Sequence, residues 1–200
     1  GLSETASTST FNASAEDRRV YSVGKPIWGV ELEVRDPLGR PLPAGRDHIG
    51  EIVVRGVNVM RGYHDNPAAT AEAIVDGWLH TGDIGIVDED GFVFIVDRKK
   101  DLIIRGGYNV YPREVEDALY SHPAVAEAAV VGVEDARLGQ EVKAYVALRP
   151  GRTATETELI EYVKERIASY KYPRSVEFRD VLPKNAANKM VDTLLDPKTS

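Results

Sequence analysis

The chain has 200 residues, 42% of them hydrophobic and 28% charged, with a formal net charge of −7 and no cysteine. That length holds one large or two small domains with ample material for a core, and the acidic balance argues against a nucleic-acid partner. Without cysteine there are no disulfides and no thiol nucleophile, which favours a cytoplasmic location.

No apolar run approaches the ~20 residues that would span a bilayer, and nothing resembles a signal peptide. The four histidines, His48, His64, His80 and His122, show no metal-ligand spacing. Residues 5–19 are rich in Ser, Thr, Ala and Asn and read as a loop or flexible arm. Val30 to Arg35 alternates apolar and polar residues, the period of a strand with one buried face. Turn chemistry follows at Asp36-Pro37-Leu38-Gly39, then a second strand from Glu51 to Arg55 between Gly50 and Gly56. A small barrel or bent sheet is expected here. Asn66 reads as the N-cap of a short helix with Pro67 at its first position. Gly77 to Asp83 reads as a tight, glycine-punctuated turn. It leads into a hairpin of Ile84 to Val87 and Phe92 to Val96, which Asp97 ends.

Five charged residues in a row follow, Asp97-Arg98-Lys99-Lys100-Asp101, and then an apolar run closing on Gly106-Gly107. This order predicts a solvated hinge at 97–101 between two lobes, 1–97 and 98–200. Beyond it, a helix from Pro112 to Tyr120 places Val115, Ala118 and Leu119 on one face, with acids in its first turn and His122-Pro123 as its stop. Val125 to Val133 and Glu141 to Leu148 read as antiparallel strands. Thr155-Glu156-Thr157-Glu158 is a capping box for a helix that turns Leu159, Ile160, Val163 and Ile167 inward. Ser175 to Phe178 is a last strand, and a polar, irregular tail is expected from Leu182. The fold class is α+β: the end of a large lobe with a barrel-like β-rich subdomain, then a small, mobile α+β domain. There is no internal repeat.

Taken singly, the chemical features are weak. Asp83 beside Gly82 could hold the two hydroxyls of a ribose, or could be a turn aspartate bonded to its own backbone. Arg98 could bridge ribose or phosphate through its planar fork, or be a surface arginine. Glu4 is a hard oxygen ligand of the kind Mg²⁺ accepts, or a solvated glutamate. Lys189 lies in a polar loop, and Gly106-Gly107 serve either a sharp turn or the close passage of a thin ligand arm.

The constellation is specific. Gly1-Leu2-Ser3-Glu4, the segment from Gly50 to Gly56 with Gly62-Tyr63, and the segment from Gly77 to Asp83 together resemble the adenylate-forming (AMP-binding) enzyme superfamily. The run from Asp97 to Glu116 is similar to its hinge signature, and Leu182-Pro183-Lys184 with Asn188-Lys189 to its terminal lysine motif. The likeness covers essentially the whole chain in the family's order. Within the superfamily it is most similar to medium- and long-chain fatty acyl-CoA ligases.

That resemblance implies ATP-dependent activation of a carboxylic acid, with a fatty acid expected, as an acyl-adenylate with release of pyrophosphate, then transfer of the acyl group to the thiol of CoA. It implies Lys189 as the catalytic lysine, Asp83 on the ribose hydroxyls, and Arg98 on ribose or phosphate. It also implies Glu4 as a holder of Mg²⁺, Lys100 as the hinge, and Gly106 and Gly107 as a wall for the CoA arm. Ser3, part of the ATP site, stands where many members have threonine. On electrostatic grounds Arg98, Lys99 or Arg105 are candidates for the CoA phosphates. Asn188 occupies a position that is usually glycine, and Met190 to Thr193 lacks basic residues often found there. The family's phosphate-cradling loop has no match, so the chain is expected to be the C-terminal part of a longer synthetase, inactive alone. Two alternatives stay open: delivery of the acyl group to a carrier-protein thiol, and a non-catalytic binding or dimerisation module. Peripheral membrane contact and homo-oligomerisation also stay open.

Overall fold

A computed structural model describes residues 1–183, and the chain divides after Lys100 into two compact units, each with its own sheet. In the first, a short pair β1 (Thr10–Phe11) and β2 (Lys25–Pro26) precedes β3 (Val30–Arg35) and β4 (Gly50–Gly56). Helix α1 (Pro67–Ala73) leads to β5 (Ile74–Val75), β6 (Trp78–Val87) and β7 (Val93–Arg98). The main sheet runs β3-β4-β6 with antiparallel neighbours, and β5 and β7 share the far edge of β6. It is an open sheet, with no strand among the described residues closing it back onto β3, so the barrel-like expectation gives way to its bent-sheet alternative. Val30, Val34, Ile52, Val54 and Val93 form its core. Asn66 caps α1 as its sequence predicts, its side-chain oxygen accepting from the Ala69 N–H at 3.1 Å.

Two local expectations are corrected and a third, the loop at 5–19, is made more specific. The segment 77–83 is not a turn: from Trp78 onward it belongs to β6, because Trp78 and Leu79 are buried and pair with β5. Strand β7 begins at Val93 and does not stop at Asp97, since Asp97 and Arg98 still pair with Ile84 and Asp83. The 5–19 arm is largely irregular but tied down. The Arg19 guanidinium reaches Asp88 at 2.6 Å, pairs with Asp90 as well, and lies over the Phe92 ring.

The second unit opens with a hairpin that the sequence pattern does not announce, β8 (Ile103–Arg105) and β9 (Tyr108–Val110). Its turn is Gly106-Gly107 at φ +56° and +85°. Two successive left-handed residues give a twist that matches the flanking strands, which is why two glycines stand there. Next come α2 (Pro112–Tyr120), β10 (Val125–Asp135), β11 (Gly139–Leu148), α3 (Glu156–Lys164) and β12 (Ser175–Phe178). β10 and β11 are antiparallel, and β12 returns through α3 to lie parallel to β11. The capping box forms: Thr155 Oγ1 accepts from Glu158 N at 3.2 Å, and Glu158 Oε2 from Thr155 N at 3.4 Å.

Strand periodicity sorts the apolar residues to two faces. Ala128, Val130, Val142, Ala144 and Val146 meet Val115 and Leu119 of α2 and Leu159 and Val163 of α3, all of which are inaccessible or nearly so. Each such leucine or valine contributes about 1.5–3 kcal/mol relative to exposure. Ala129, Tyr145 and Ala147 line the other face with Leu182, which is buried there and is not the start of a polar tail. Among the described residues no helix is long and apolar enough to cross a membrane.

Candidate functional site

The first unit's site grows from a defect in its sheet. Between β4 and β6, Glu51 pairs with Ile84 and Val53 with His80, so the single residue Ile52 stands opposite Thr81, Gly82 and Asp83. A bulge of this kind bends the strand and re-aims side chains, and Gly82 takes the left-handed conformation it needs, at φ +69°. Thr81 stitches it closed: its hydroxyl donates to the Ile52 carbonyl at 2.7 Å and accepts from the Asp83 N–H at 3.1 Å. Beyond the bulge Asp83 faces Arg98 of β7, with Nε 2.9 Å from Oδ1. Burial pushes the Asp83 carboxyl above the usual carboxylate range, and the Arg98 guanidinium offsets part of that rise.

One strand over, Glu51, within the segment from Gly50 to Gly56, is a buried acid to which the resemblance assigns no role. His80 Nδ1 lies 3.0 Å from its Oε2, and Lys99 Nζ donates to the same oxygen at 2.9 Å. Burial alone would raise the Glu51 carboxyl, but the bonds from His80 and Lys99 outweigh it and hold it below its ordinary value. The one signal in the sequence is a charge at the start of a strand that is otherwise all valine and isoleucine up to Arg55.

Glu4 sits on a single 3₁₀ turn, Ser3–Thr5. Thr5 is fully buried, and its hydroxyl bridges the N–H and C=O of Leu2, both at 3.1 Å, which fixes the turn. The Glu4 carbonyl accepts from Met60 N at 2.8 Å, and its carboxylate accepts from the Tyr63 hydroxyl at 3.0 Å. That bond holds the Tyr63 phenol above its ordinary pKa.

These elements enclose two adjoining hollows. One, of about 400 Å³, is lined by Ser3, Glu4, Tyr63, His80, Thr81 and Arg98. The other, of about 700 Å³, shares Tyr63, His80, Thr81 and Arg98 and adds Glu51, Glu72, Lys99 and Lys100. Ser3, Glu4, Arg98 and, through Arg98, Asp83 are therefore gathered together, with Lys100 at the rim of the unit. Gly106, Gly107 and Arg105 belong to the second unit. There Arg105 is engaged by Glu141 through two bonds, Nε to Oε1 at 2.5 Å and Nη2 to Oε2 at 2.9 Å. A guanidinium held bidentately in this way is a strut within its own unit before it is a phosphate ligand. Lys189, with Lys184 and Asn188, lies outside the described residues.

A magnesium ion fits this donor set in one way only. Among the described residues no group of three or more His, Asp or Glu side chains is placed to hold a metal. Mg²⁺ nonetheless keeps several waters and takes substrate phosphates as ligands, so one protein carboxylate at the wall of a polar cavity fits it. Glu4, with the Ser3 hydroxyl beside it, is such a carboxylate. Chemically, the two hollows offer cations for phosphate (Arg98, Lys99) and a lone hard ligand (Glu4), with Asp83, an acceptor for hydroxyls, paired to Arg98 at their edge.

Residues 1–64 match the AMP-binding enzyme family and residues 114–189 match the AMP-binding enzyme C-terminal domain. The chain is 45% identical over 191 residues to a long-chain-fatty-acid–CoA ligase of Bacillus subtilis (strain 168), covering 96% of this chain and 34% of that protein. Its fold matches ATP-bound MatB from Rhodopseudomonas palustris with a TM-score of 0.90 and 40% identity, over 98% of this chain and 39% of that one. It also matches the O-succinylbenzoate coenzyme A synthetase of Bacillus subtilis in complex with ATP and a magnesium ion. There the TM-score is 0.85 and the identity 41%, over 98% of this chain and 40% of that one. The chain thus spans between a third and two-fifths of the length of the proteins it matches.

Proposed function

We infer that this chain, which belongs to the AMP-binding (adenylate-forming) enzyme superfamily, is part of an acid–thiol ligase that activates a fatty acid with ATP and transfers it to CoA. In the first step a carboxylate oxygen of the acid bonds to the α-phosphorus of ATP and pyrophosphate leaves. In the second the CoA sulfur, having lost its proton, bonds to the acyl carbon and AMP leaves.

The observation that carries this reading is the convergence of Ser3, Glu4 and Arg98 on one hollow, with Asp83 paired to Arg98 behind it. Asp83 would accept from the ribose hydroxyls, since an ionised carboxylate offers two oxygens and no donor. Arg98 favours the ionised form of Asp83 against its burial and would present its remaining N–H groups to ribose or phosphate oxygens. Ser3 would donate to phosphate. Glu4 would hold a magnesium ion, whose contribution is to neutralise charge on the nucleotide's phosphates. Lys189 would supply an ammonium between the carboxylate and the α-phosphate, offsetting the repulsion of two anions. Lys100 would be the pivot about which the second unit, with Gly106 and Gly107, changes the face it presents between the two steps. The choice of a fatty acid rests on the long-chain-fatty-acid–CoA ligase at 45% identity, while 2-succinylbenzoate–CoA ligases match at 46–47%, so the acid itself is what the assay must decide.

Lys189→Ala in the complete protein tests the assignment. Pyrophosphate release from ATP and a long-chain acid should be lost, while thioester formation from preformed acyl-AMP and CoA should persist. An unchanged first step would remove Lys189 from the chemistry. A panel of fatty and aryl acids in the same assay tests the acid.

A further inference from the structure

Glu4 is a short side chain on an isolated turn, yet it is restrained from a segment more than fifty residues away. Met60 N holds its carbonyl at 2.8 Å and the Tyr63 hydroxyl holds its Oε1 at 3.0 Å. Tyr63 is 40% exposed, so burial of its ring is a poor reason for a tyrosine at that place. The ring instead forms part of the wall of both hollows, with its hydroxyl on the carboxylate.

The surroundings of Tyr63 form a brace. Its N–H donates to Thr70 Oγ1 at 2.9 Å, and that hydroxyl donates in turn to the Asn66 carbonyl at 2.9 Å, on the first turn of α1. Gly62 must be glycine because a Cβ there would lie 2.7 Å from Thr70 Cγ2 and 2.9 Å from Thr70 Oγ1, at φ +155°. The chain of causes therefore runs from Asn66 and Pro67, which start the helix, to Thr70, which seats the backbone of Tyr63, to the phenol that meets Glu4. Each link is a short contact within the first unit.

We propose that Tyr63 is the positioning residue for Glu4, fixing its carboxylate to receive the magnesium ion of the nucleotide complex, with Thr70 and Gly62 as its footing. This role rests on the ligase assignment above. A hydrogen bond to one oxygen of a metal-binding carboxylate selects its orientation and leaves the other oxygen to the ion, and outer contacts of this kind typically change metal affinity by about 10- to 100-fold.

The test uses the complete protein with ATP and Mn²⁺, a paramagnetic stand-in for Mg²⁺, and reads bound metal by electron paramagnetic resonance without turnover. Tyr63→Phe, which removes only the hydroxyl, should weaken Mn²⁺ binding in the ATP complex by about 10-fold and leave metal-free ATP binding and the melting curve unchanged. Thr70→Val, which unseats the Tyr63 backbone, should weaken it in the same direction. Tyr63→Phe combined with Glu4→Gln should be no worse than Glu4→Gln alone, because both act through one carboxylate. Wild-type Mn²⁺ affinity in Tyr63→Phe alongside weak binding in Glu4→Gln would overturn the positioning role and leave the ligase assignment standing. Additive losses in the double variant would overturn it too. Wild-type affinity in Glu4→Gln would overturn both the positioning role and the metal role assigned to Glu4.

Discussion

Arg98 stands directly opposite Asp83 across the β6–β7 ladder, its Nε 2.9 Å from the carboxylate. The pair is asymmetric: the arginine is more than half exposed, while the aspartate is mostly covered. Burial raises the Asp83 carboxyl above its ordinary value despite its partner. The folded state therefore binds this proton more tightly than the unfolded chain does. Stability from this group is full below the ordinary carboxylate pKa and is lost as pH rises through the raised value. Once ionised, the aspartate is a cost to the fold, which the ribose-binding role proposed for it would account for. Asp83→Asn should melt no lower than wild type near neutral pH and lose any advantage in acid. Its ATP affinity should fall roughly 10- to 100-fold, the scale of a lost charged hydrogen bond. Melting curves across pH with ATP titrations check both halves.

Glu51 carries the opposite sign. Burial pushes its carboxyl up, but His80 and Lys99 together bring it below the ordinary value. Its contribution is present above the unfolded pKa, about 4.3 for glutamate, and disappears as pH falls through the lower folded value. Glu51→Gln should cost about 1–2 kcal/mol near neutral pH, and the gap to wild type should close in acid. Lys99 is largely exposed, so it regains water when its partner is lost, which keeps the cost modest. Urea unfolding at several pH values measures the gap.

Thr81 joins the two edges of the bulge through one hydroxyl. Thr81→Val keeps the shape and removes both bonds, stranding the Ile52 carbonyl. The expected loss is about 1–3 kcal/mol, accompanied by weaker ATP binding, since the bulge is what turns Asp83 toward Arg98. A variant that lost stability but bound ATP as before would separate the bulge from the site.

What could be read from the sequence follows the range of the forces involved. The cap of α1 by Asn66, its Pro67, and the box between Thr155 and Glu158 are contacts spanning three residues, so residue type and spacing nearly determine them. The strands Val125 to Val133 and Glu141 to Leu148 are legible as short runs rich in valine and alanine, whose tendency is local even though their pairing is not. The bulge at Thr81 to Asp83 is not legible, because a glycine that serves a turn and one that serves a bulge look alike until the partner strand is known. Glu51 escapes a reading of the sequence because its partners come from β6 and from Lys99, just past the end of β7, 29 and 48 residues away. The bond between Tyr63 and Glu4 spans 59 residues. Family resemblance pointed to Glu4, Asp83 and Arg98 but was silent on what holds them.

Gly107 offers a way to separate backbone from ligand requirements. At φ +85°, with nothing within 4 Å of the place a Cβ would take, its need for glycine in the fold is conformational. Asparagine tolerates that region far better than a β-branched residue does. Gly107→Val should therefore destabilise the protein, by about 1–2 kcal/mol for a non-glycine residue forced into the left-handed region. Gly107→Asn should fold nearly as well as wild type. If the Gly106-Gly107 turn also forms a wall along which the CoA arm passes, Gly107→Asn should still slow thioester formation from preformed acyl-AMP while leaving pyrophosphate release unchanged. Equal rates of both half-reactions in Gly107→Asn and wild type would confine this turn to a structural task and remove it from the thiol's path.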